Sequence, residues 1–212
     1  MVLKVGINGF GRIGRLAFRE LIERGQDQVQ VVWINEVKGG SECAAHLATF
    51  DSIHGRWSDY ELIAKDSSTL TLKSTQNAST ISTIKFTEFS SPSEIQWNEL
   101  NVDIVMECSG KFVKNLDVLQ PHFKNSDGSS KNVKKIVVSA PVKAPGINGD
   151  KALEIVYGVN HSIYEENSAQ YPVVTAASCT TNCLAPVVKV LLDTVGIKTG
   201  LMTTIHNVTN TQ

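Results

Sequence analysis

Cys179 stands in the segment Ser178-Cys179-Thr180-Thr181-Asn182-Cys183, directly ahead of a stretch, Ala185 to Val195, whose apolar residues recur at helical spacing with Pro186 near its start. A cysteine at a helix N-terminus gains thiolate character, because the dipole and the unpaired N–H groups of the first turn favour negative charge on sulfur. The same N–H groups can hold a developing oxyanion. Such a nucleophile needs a base within reach. His206 is the candidate, closing the strand-like run Leu201 to Ile205 that follows the helical stretch across the short Gly196–Gly200 connection. A strand–helix–strand unit would bring both strand ends to one edge of a parallel sheet. The plain alternative for Cys179 is a small buried residue, a common state for cysteine. Cys183 reads as structural, and Cys43 and Cys108 as core or near-surface thiols without a role. No second cysteine pair or histidine cluster completes a metal set with Cys179 and Cys183, so no metal is expected.

A second chemical feature lies at the other end of the chain. Gly9-Phe10-Gly11-Arg12-Ile13-Gly14 matches G-x-G-x-x-G, with an apolar run before it and a helical pattern after it. The first glycine permits a tight turn, the second lets a pyrophosphate approach the backbone, and the third lets helix and strand pack closely. The helix start then offers N–H groups and positive dipole to phosphate. Glu36 follows Gly14 by 22 residues, at the end of the next apolar run. The fingerprint places an acid about there to accept hydrogen bonds from a ribose. A carboxylate would repel a 2′-phosphate, which favours NAD over NADP, although Lys38 close by softens the preference. The alternative is a packing turn followed by an exposed glutamate.

Elements must position these groups. Val2, Leu3, Val5 and Ile7 supply a first strand, and Ile13, Leu16, Ala17 and Leu21 fall at helical spacing over Arg12 to Arg24. Gly25 stands where a left-handed residue would close that helix. Val29 to Ile34 is a second, β-branched run, of the kind buried in parallel sheets. Between 66 and 91, Leu70 and Leu72, then Ile84 and Phe86, alternate with polar neighbours and predict antiparallel strands around a turn at Gln76-Asn77. A Ser/Thr-rich linker is the other reading of that region. The parallel pattern resumes at Val102 to Met106, Lys135 to Val138 and Val173 to Thr175, with loops at 125–130 and 143–150. His46, His54, His122 and His161 have no matched partner in the sequence, and Trp33, Trp57 and Trp97 read as packing residues.

Composition removes several functional classes. Twenty Lys and Arg against 21 Asp and Glu leave a net charge of −1, which argues against nucleic-acid binding. Hydrophobic residues at 42% and charged residues at 19% describe a folded chain, not a disordered one. No apolar run is long enough to span a membrane, and the first residues have no signal-peptide pattern. A cytoplasmic protein is the expectation.

These motifs together resemble glyceraldehyde-3-phosphate dehydrogenases. The resemblance is carried by Val5-Gly-Ile-Asn-Gly-Phe-Gly-Arg-Ile-Gly-Arg15, Phe50-Asp-Ser-Ile-His-Gly55, Ala177-Ser-Cys-Thr-Thr-Asn-Cys-Leu-Ala-Pro186 and Leu201-Met-Thr-Thr-Ile-His206. It implies an α/β fold: a Rossmann-type, doubly wound parallel sheet over 1–177, then the opening of a truncated α+β catalytic domain over 178–212. It implies NAD-dependent, phosphorylating oxidation of glyceraldehyde 3-phosphate, as in glycolysis. Cys179 would form a hemithioacetal and then a thioester, His206 would act as base, and inorganic phosphate would release the product. By the same resemblance Ser178, Thr180 and Thr209 would meet substrate or phosphate. Asn8, Gly9, Gly11, Arg12, Ile13 and Gly14 would line the cofactor, with Arg12 and Ile13 at the pyrophosphate, Glu36 at the ribose and Ser139 near the nicotinamide.

The chain also departs from the family pattern. Asn35-Glu36 replaces the usual Asn-Asp, lengthening the acid by a methylene, and Ser90-Ser91-Pro92 replaces Arg-Asp-Pro. The runs Asn35 to Gly40 and Val208 to Gln212 look like a divergent bacterial branch linked to arsenate detoxification, in which arsenate would replace phosphate. Family members continue well beyond position 212 and would assemble as homotetramers, so residues 1–212 alone are expected to be poorly soluble and without turnover. Erythrose-4-phosphate dehydrogenase is a rival enzyme, and a non-catalytic dinucleotide-binding fragment is a rival of another class.

Overall fold

In the computed structural model, which describes residues 2–25, 27–125, 127–143, 145–146 and 152–205, the chain opens with strand β1 (Leu3–Asn8), helix α1 (Arg12–Arg24) and strand β2 (Val29–Asn35). Helix α1 turns Gly14, Phe18, Arg19 and Ile22 inward. Of the expected Ile13, Leu16, Ala17 and Leu21, the last three are half-buried and Leu21 packs against the core, while Ile13 is 55% exposed. Gly14, without a side chain, lets the start of the helix lie against the glycine turn. Gly25 ends α1 with φ −107° and not in the expected left-handed region. Its N–H still bonds the Leu21 carbonyl, and a Cβ there would come within 2.6 Å of Val29 Cγ2. The position uses the lack of a side chain, not a reversed φ.

Next come α2 (Gly40–Thr49) and a small hairpin, β3 (Phe50–Asp51) with β4 (Gly55–Arg56). Strands β5 (Tyr60–Asp66), β6 (Thr69–Ser74) and β7 (Thr80–Thr87) then pair antiparallel, as the alternation predicts. Leu70, Leu72, Ile84 and Phe86 are all buried. Residues 75–77 make the turn, where Asn77 Oδ1 accepts hydrogen bonds from the Ser79 N–H and hydroxyl. The linker reading is thereby excluded. Besides four short 3-10 turns, the remaining elements among the described residues are β8 (Ile104–Glu107), α3 (Gln120–Phe123), β9 (Lys135–Val138), β10 (Leu153–Glu154), α4 (Ser162–Asn167), β11 (Val173–Thr175) and α5 (Cys179–Thr194).

Among the described residues, nine strands form one sheet in the order β10-β11-β9-β8-β1-β2-β7-β6-β5. From β10 to β7 all pairs are parallel. Successive residues of β2 face opposite sides, so Ile34 joins a core with Val5, Ile7, Phe18 and Leu70, while Trp33 joins one with Trp97, Val105, Ile136 and Leu119. The chain leaves β1 toward β2 and later returns to its other side at β8. The crevice above that reversal, at the carboxyl ends of the strands, is where such sheets bind ligands.

Two expectations about the C-terminal part change. The helix expected over Ala185–Val195 begins six residues earlier, at Cys179, and Pro186 lies inside it. The Ser178 hydroxyl accepts the Thr181 N–H at 3.0 Å and so starts the helix there. Residues 201–205 form no strand. A strand needs a ladder partner, none of the described residues provides one, and Leu201 and Ile205 are 99% and 92% exposed. The loop expected at 143–150 lies mostly outside the described residues.

Candidate active site

Strand register sets the site. Asn8 stands opposite Asn35 on β2 and Glu107 on β8, Glu107 opposite Val138, and Val138 opposite Thr175. The residues that follow each strand therefore leave the sheet along one edge: Glu36 after β2, Gly9 after β1, Cys108 and Ser109 after β8, Ser139 after β9, and the segment leading to Cys179 after β11. Three inter-strand spacings separate β1 from β11, roughly 14 Å.

The three glycines of the loop divide their work. Gly9 has φ +92°, and a Cβ on it would come within 2.4 Å of the Ser109 nitrogen. A Cβ on Gly14 would come within 2.2 Å of the Gly9 carbonyl oxygen. Both are required by the protein's own packing. A Cβ on Gly11 would meet nothing within 4 Å, so no protein atom fills the space beside it. No side chain caps α1 and no acid stands in its first turn. An uncapped helix start beside an open glycine suits an anionic phosphate. Glu36 reaches back over this loop: Oε2 accepts the Phe10 N–H at 2.7 Å and Oε1 the Lys38 N–H at 3.2 Å. The expected acid and the glycine loop are thus brought together.

Arg12 is held from the side. Its guanidinium donates to Ser52 Oγ at 3.1 Å and lies 3.5 Å from Asp51. The β3–β4 turn therefore anchors the first residue of α1. Arg15 donates to the Phe10 carbonyl at 3.0 Å, and burial pulls its pKa down. Asn8 is buried, with its carboxamide committed at both ends: Nδ2 donates to Glu107 and Oδ1 accepts from Asn35 at 2.8 Å. Ser139 takes part through its N–H, which bonds the Glu107 carbonyl at 3.0 Å.

His122 is not the unmatched histidine that the sequence suggests. Its Nε2 lies 3.0 Å from Glu107 Oε2, both side chains fully buried, and its Nδ1 accepts the Trp97 indole N–H at 3.2 Å. The other Glu107 oxygen accepts the Ser109 N–H and hydroxyl. One carboxylate thus ties β1, β8, α3 and the turn beneath Gly9 together. The sequence carries one signal for it: a lone acid ending the apolar run Ile104-Val105-Met106.

Cys179 is the first residue of α5 and is exposed. Before it, Ala176 N–H makes a last sheet bond to the Val138 carbonyl at 2.9 Å. Ala177, buried at 3% exposure, then turns the chain with φ +59°, in the left-handed region an alanine rarely enters. Ser178 Oγ also lies 3.0 Å from Thr180 Oγ1 and 2.7 Å from Thr181 Oγ1. A cavity of about 300 Å³ runs alongside, lined by Thr180, Thr181, Leu184, Ala185, Val188 and Met202. Cys183 is exposed as well. Cys108 is different: burial pushes its thiol up to about 12, against the opposing pull of a Ser139 hydrogen bond. His206 and Thr209 lie outside the described residues.

Residues 3–115 match the family described as glyceraldehyde 3-phosphate dehydrogenase, NAD binding domain, and residues 178–212 match its C-terminal domain. The chain belongs to the glyceraldehyde 3-phosphate dehydrogenase family. It is 46% identical over 212 residues to glyceraldehyde-3-phosphate dehydrogenase 3 of Nostoc sp., covering all of this chain and 55% of that protein. It is 44% identical to the enzyme of Xanthobacter flavus, covering 56% of that protein, and 39% identical over 210 residues to the cytosolic one of Magnolia liliiflora. The chain thus spans little more than half the length of the curated relatives it matches. The fold and the family agree on the cofactor: the open Gly11 face, the uncapped helix start and Glu36 fit a dinucleotide, and the dinucleotide is NAD. Among the described residues no helix is long and apolar enough to cross a membrane.

Proposed function

We propose that this chain carries the NAD-binding and nucleophilic parts of a phosphorylating glyceraldehyde-3-phosphate dehydrogenase, divided between residues 1–177 and 178–212. The reading rests on one observation above all: Cys179 opens α5 on the same sheet edge as the glycine loop. The sulfur attacks the aldehyde carbon, and the carbonyl oxygen becomes an oxyanion facing the N–H groups of the α5 first turn. His206 takes the thiol proton. NAD, when bound, supplies the hydride acceptor that turns the hemithioacetal into a thioester. Inorganic phosphate, or arsenate in its place, attacks the thioester carbonyl and releases the sulfur as thiolate. Ser178, Thr180 and Thr209 supply hydroxyls for the substrate, and Ser139 borders the nicotinamide end of the crevice. The name of the Magnolia liliiflora relative, which carries the word cytosolic, supports a cytoplasmic setting.

Absorbance of NADH tests this in the natural protein that carries the sequence. Formation of NADH from glyceraldehyde 3-phosphate, dependent on phosphate and abolished by Cys179→Ser, is the expected result. Faster turnover of erythrose 4-phosphate would move the substrate, and NAD binding without turnover of either aldehyde would leave only dinucleotide binding.

A further inference from the structure

The turn that presents Cys179 is strained and strapped. Ala177 is the residue with φ +59°, and nothing about its own methyl side chain favours that conformation. Asn182, one helical turn beyond, reaches back over it. Its Nδ2 donates to the Ala176 carbonyl at 2.6 Å and to the Ser178 carbonyl at 2.9 Å, the two carbonyls that flank Ala177. Only an amide nitrogen can serve both, since each partner is an acceptor. The Asn182 backbone N–H also bonds the Ser178 carbonyl at 2.9 Å, so the strap and the helix start share an acceptor.

We infer that Asn182 is a positioning residue for the nucleophile: its carboxamide bridges the Ala176 and Ser178 carbonyls, holds Ala177 left-handed, and so aims Cys179 at the sheet edge. This deepens the reading of Cys179 as nucleophile and rests on it. Without the strap, Ala177 relaxes toward negative φ. The first turn of α5 then rotates away from the β9 and β11 ends, carrying the sulfur and the oxyanion-facing N–H groups with it. Aspartate is nearly isosteric with asparagine but has no hydrogens to donate, so it cannot replace the strap. Glycine at 177 tolerates the left-handed region at no steric cost and removes the need for it.

The test uses the natural protein and iodoacetamide, with alkylation of each cysteine read by peptide mass. In the unsubstituted protein Cys179 should react faster than Cys183. Asn182→Ala and Asn182→Asp should slow Cys179 about ten-fold, the population factor that left-handed strain implies, while Cys183 keeps its rate. Turnover number should fall by the same factor with the KM for NAD unchanged. The double variant Ala177→Gly with Asn182→Ala should recover both. That recovery is not expected of a residue that merely stabilises the helix, and it also decides the matter if the single variants do not fold. A folded Asn182→Ala protein with Cys179 reacting at the original rate, or a folded double variant that stays slow, overturns the inference. If Cys179 of the unsubstituted protein reacts no faster than Cys183, the nucleophile reading itself fails instead.

Discussion

Glu107 and His122 face each other across 3.0 Å, with neither side chain reached by solvent. Around them Asn8, Ser109 and Trp97 complete a buried polar network beneath the glycine loop. Burial pushes the Glu107 carboxyl up, but the hydrogen bonds from His122, Ser109 and Asn8 outweigh it and hold the group below the usual glutamate range. The network's value lies in its completeness, because each buried group left without a partner bears its full desolvation penalty.

Replacing Glu107 by alanine should therefore cost at least about 3 kcal/mol, since four donors from three residues lose their acceptor at once. Urea unfolding of the two proteins measures the difference. A loss below about 1 kcal/mol would show that the network is incidental to stability.

The same carboxylate gives stability a pH dependence with a definite sign. Its folded pKa lies below its unfolded one, so its contribution is present above the ordinary glutamate pKa and is lost as pH falls through the folded value. Glu107→Gln lacks this titration. The stability gap between the two proteins should narrow from neutral pH to about pH 3. A gap independent of pH would contradict the assignment.

The glycine loop offers a contrast between two alanine substitutions. Gly14→Ala places a methyl 2.2 Å from the Gly9 carbonyl oxygen and should destabilise by about 1–3 kcal/mol or more. Gly11→Ala meets no protein atom. It should change stability by less than about 1 kcal/mol yet weaken NAD binding. Thermal melts and NAD titration by tryptophan fluorescence separate the two effects. Equal melts for the two variants would refute the division of labour.

Much of this architecture can be read from residue order. G-x-G-x-x-G between an apolar run and a helical one marks a dinucleotide turn, and Glu36 lies at the distance that turn demands. Alternation in Leu70-Thr71-Leu72 and Ile84-Lys85-Phe86 marks the antiparallel strands. Register is what the sequence conceals. Nothing in the linear order says that Asn8, Asn35 and Glu107 end level with one another, so the partner of His122, 15 residues beyond Glu107, stays invisible. The start of α5 is hidden for a related reason. Ser178-Cys179-Thr180-Thr181-Asn182 is poor in helix formers, and a hydroxyl cap overrides that local preference. Leu201–Ile205 shows the converse: five residues with strand character form no strand where none of the described residues stands beside them as a ladder partner.

Cys108 should be the least reactive thiol of the native protein. With its pKa pushed up to about 12, little thiolate exists at pH 8, and alkylation should run at least about 100-fold slower than at the exposed Cys43. Peptide mapping after brief iodoacetamide treatment reads the ratio. Comparable labelling of the two would show that Cys108 is open to solvent.

A nucleophilic Cys179 becomes acylated at sulfur during turnover, and intact mass detects that adduct. The natural protein is mixed with NAD and glyceraldehyde 3-phosphate without phosphate, then quenched in acid. The expected result is one phosphoglyceroyl group per chain, mapped to Cys179, formed together with one equivalent of NADH and discharged when phosphate is added. NADH formation with no adduct on Cys179, or an adduct on Cys183 that survives Cys179→Ser, would contradict it.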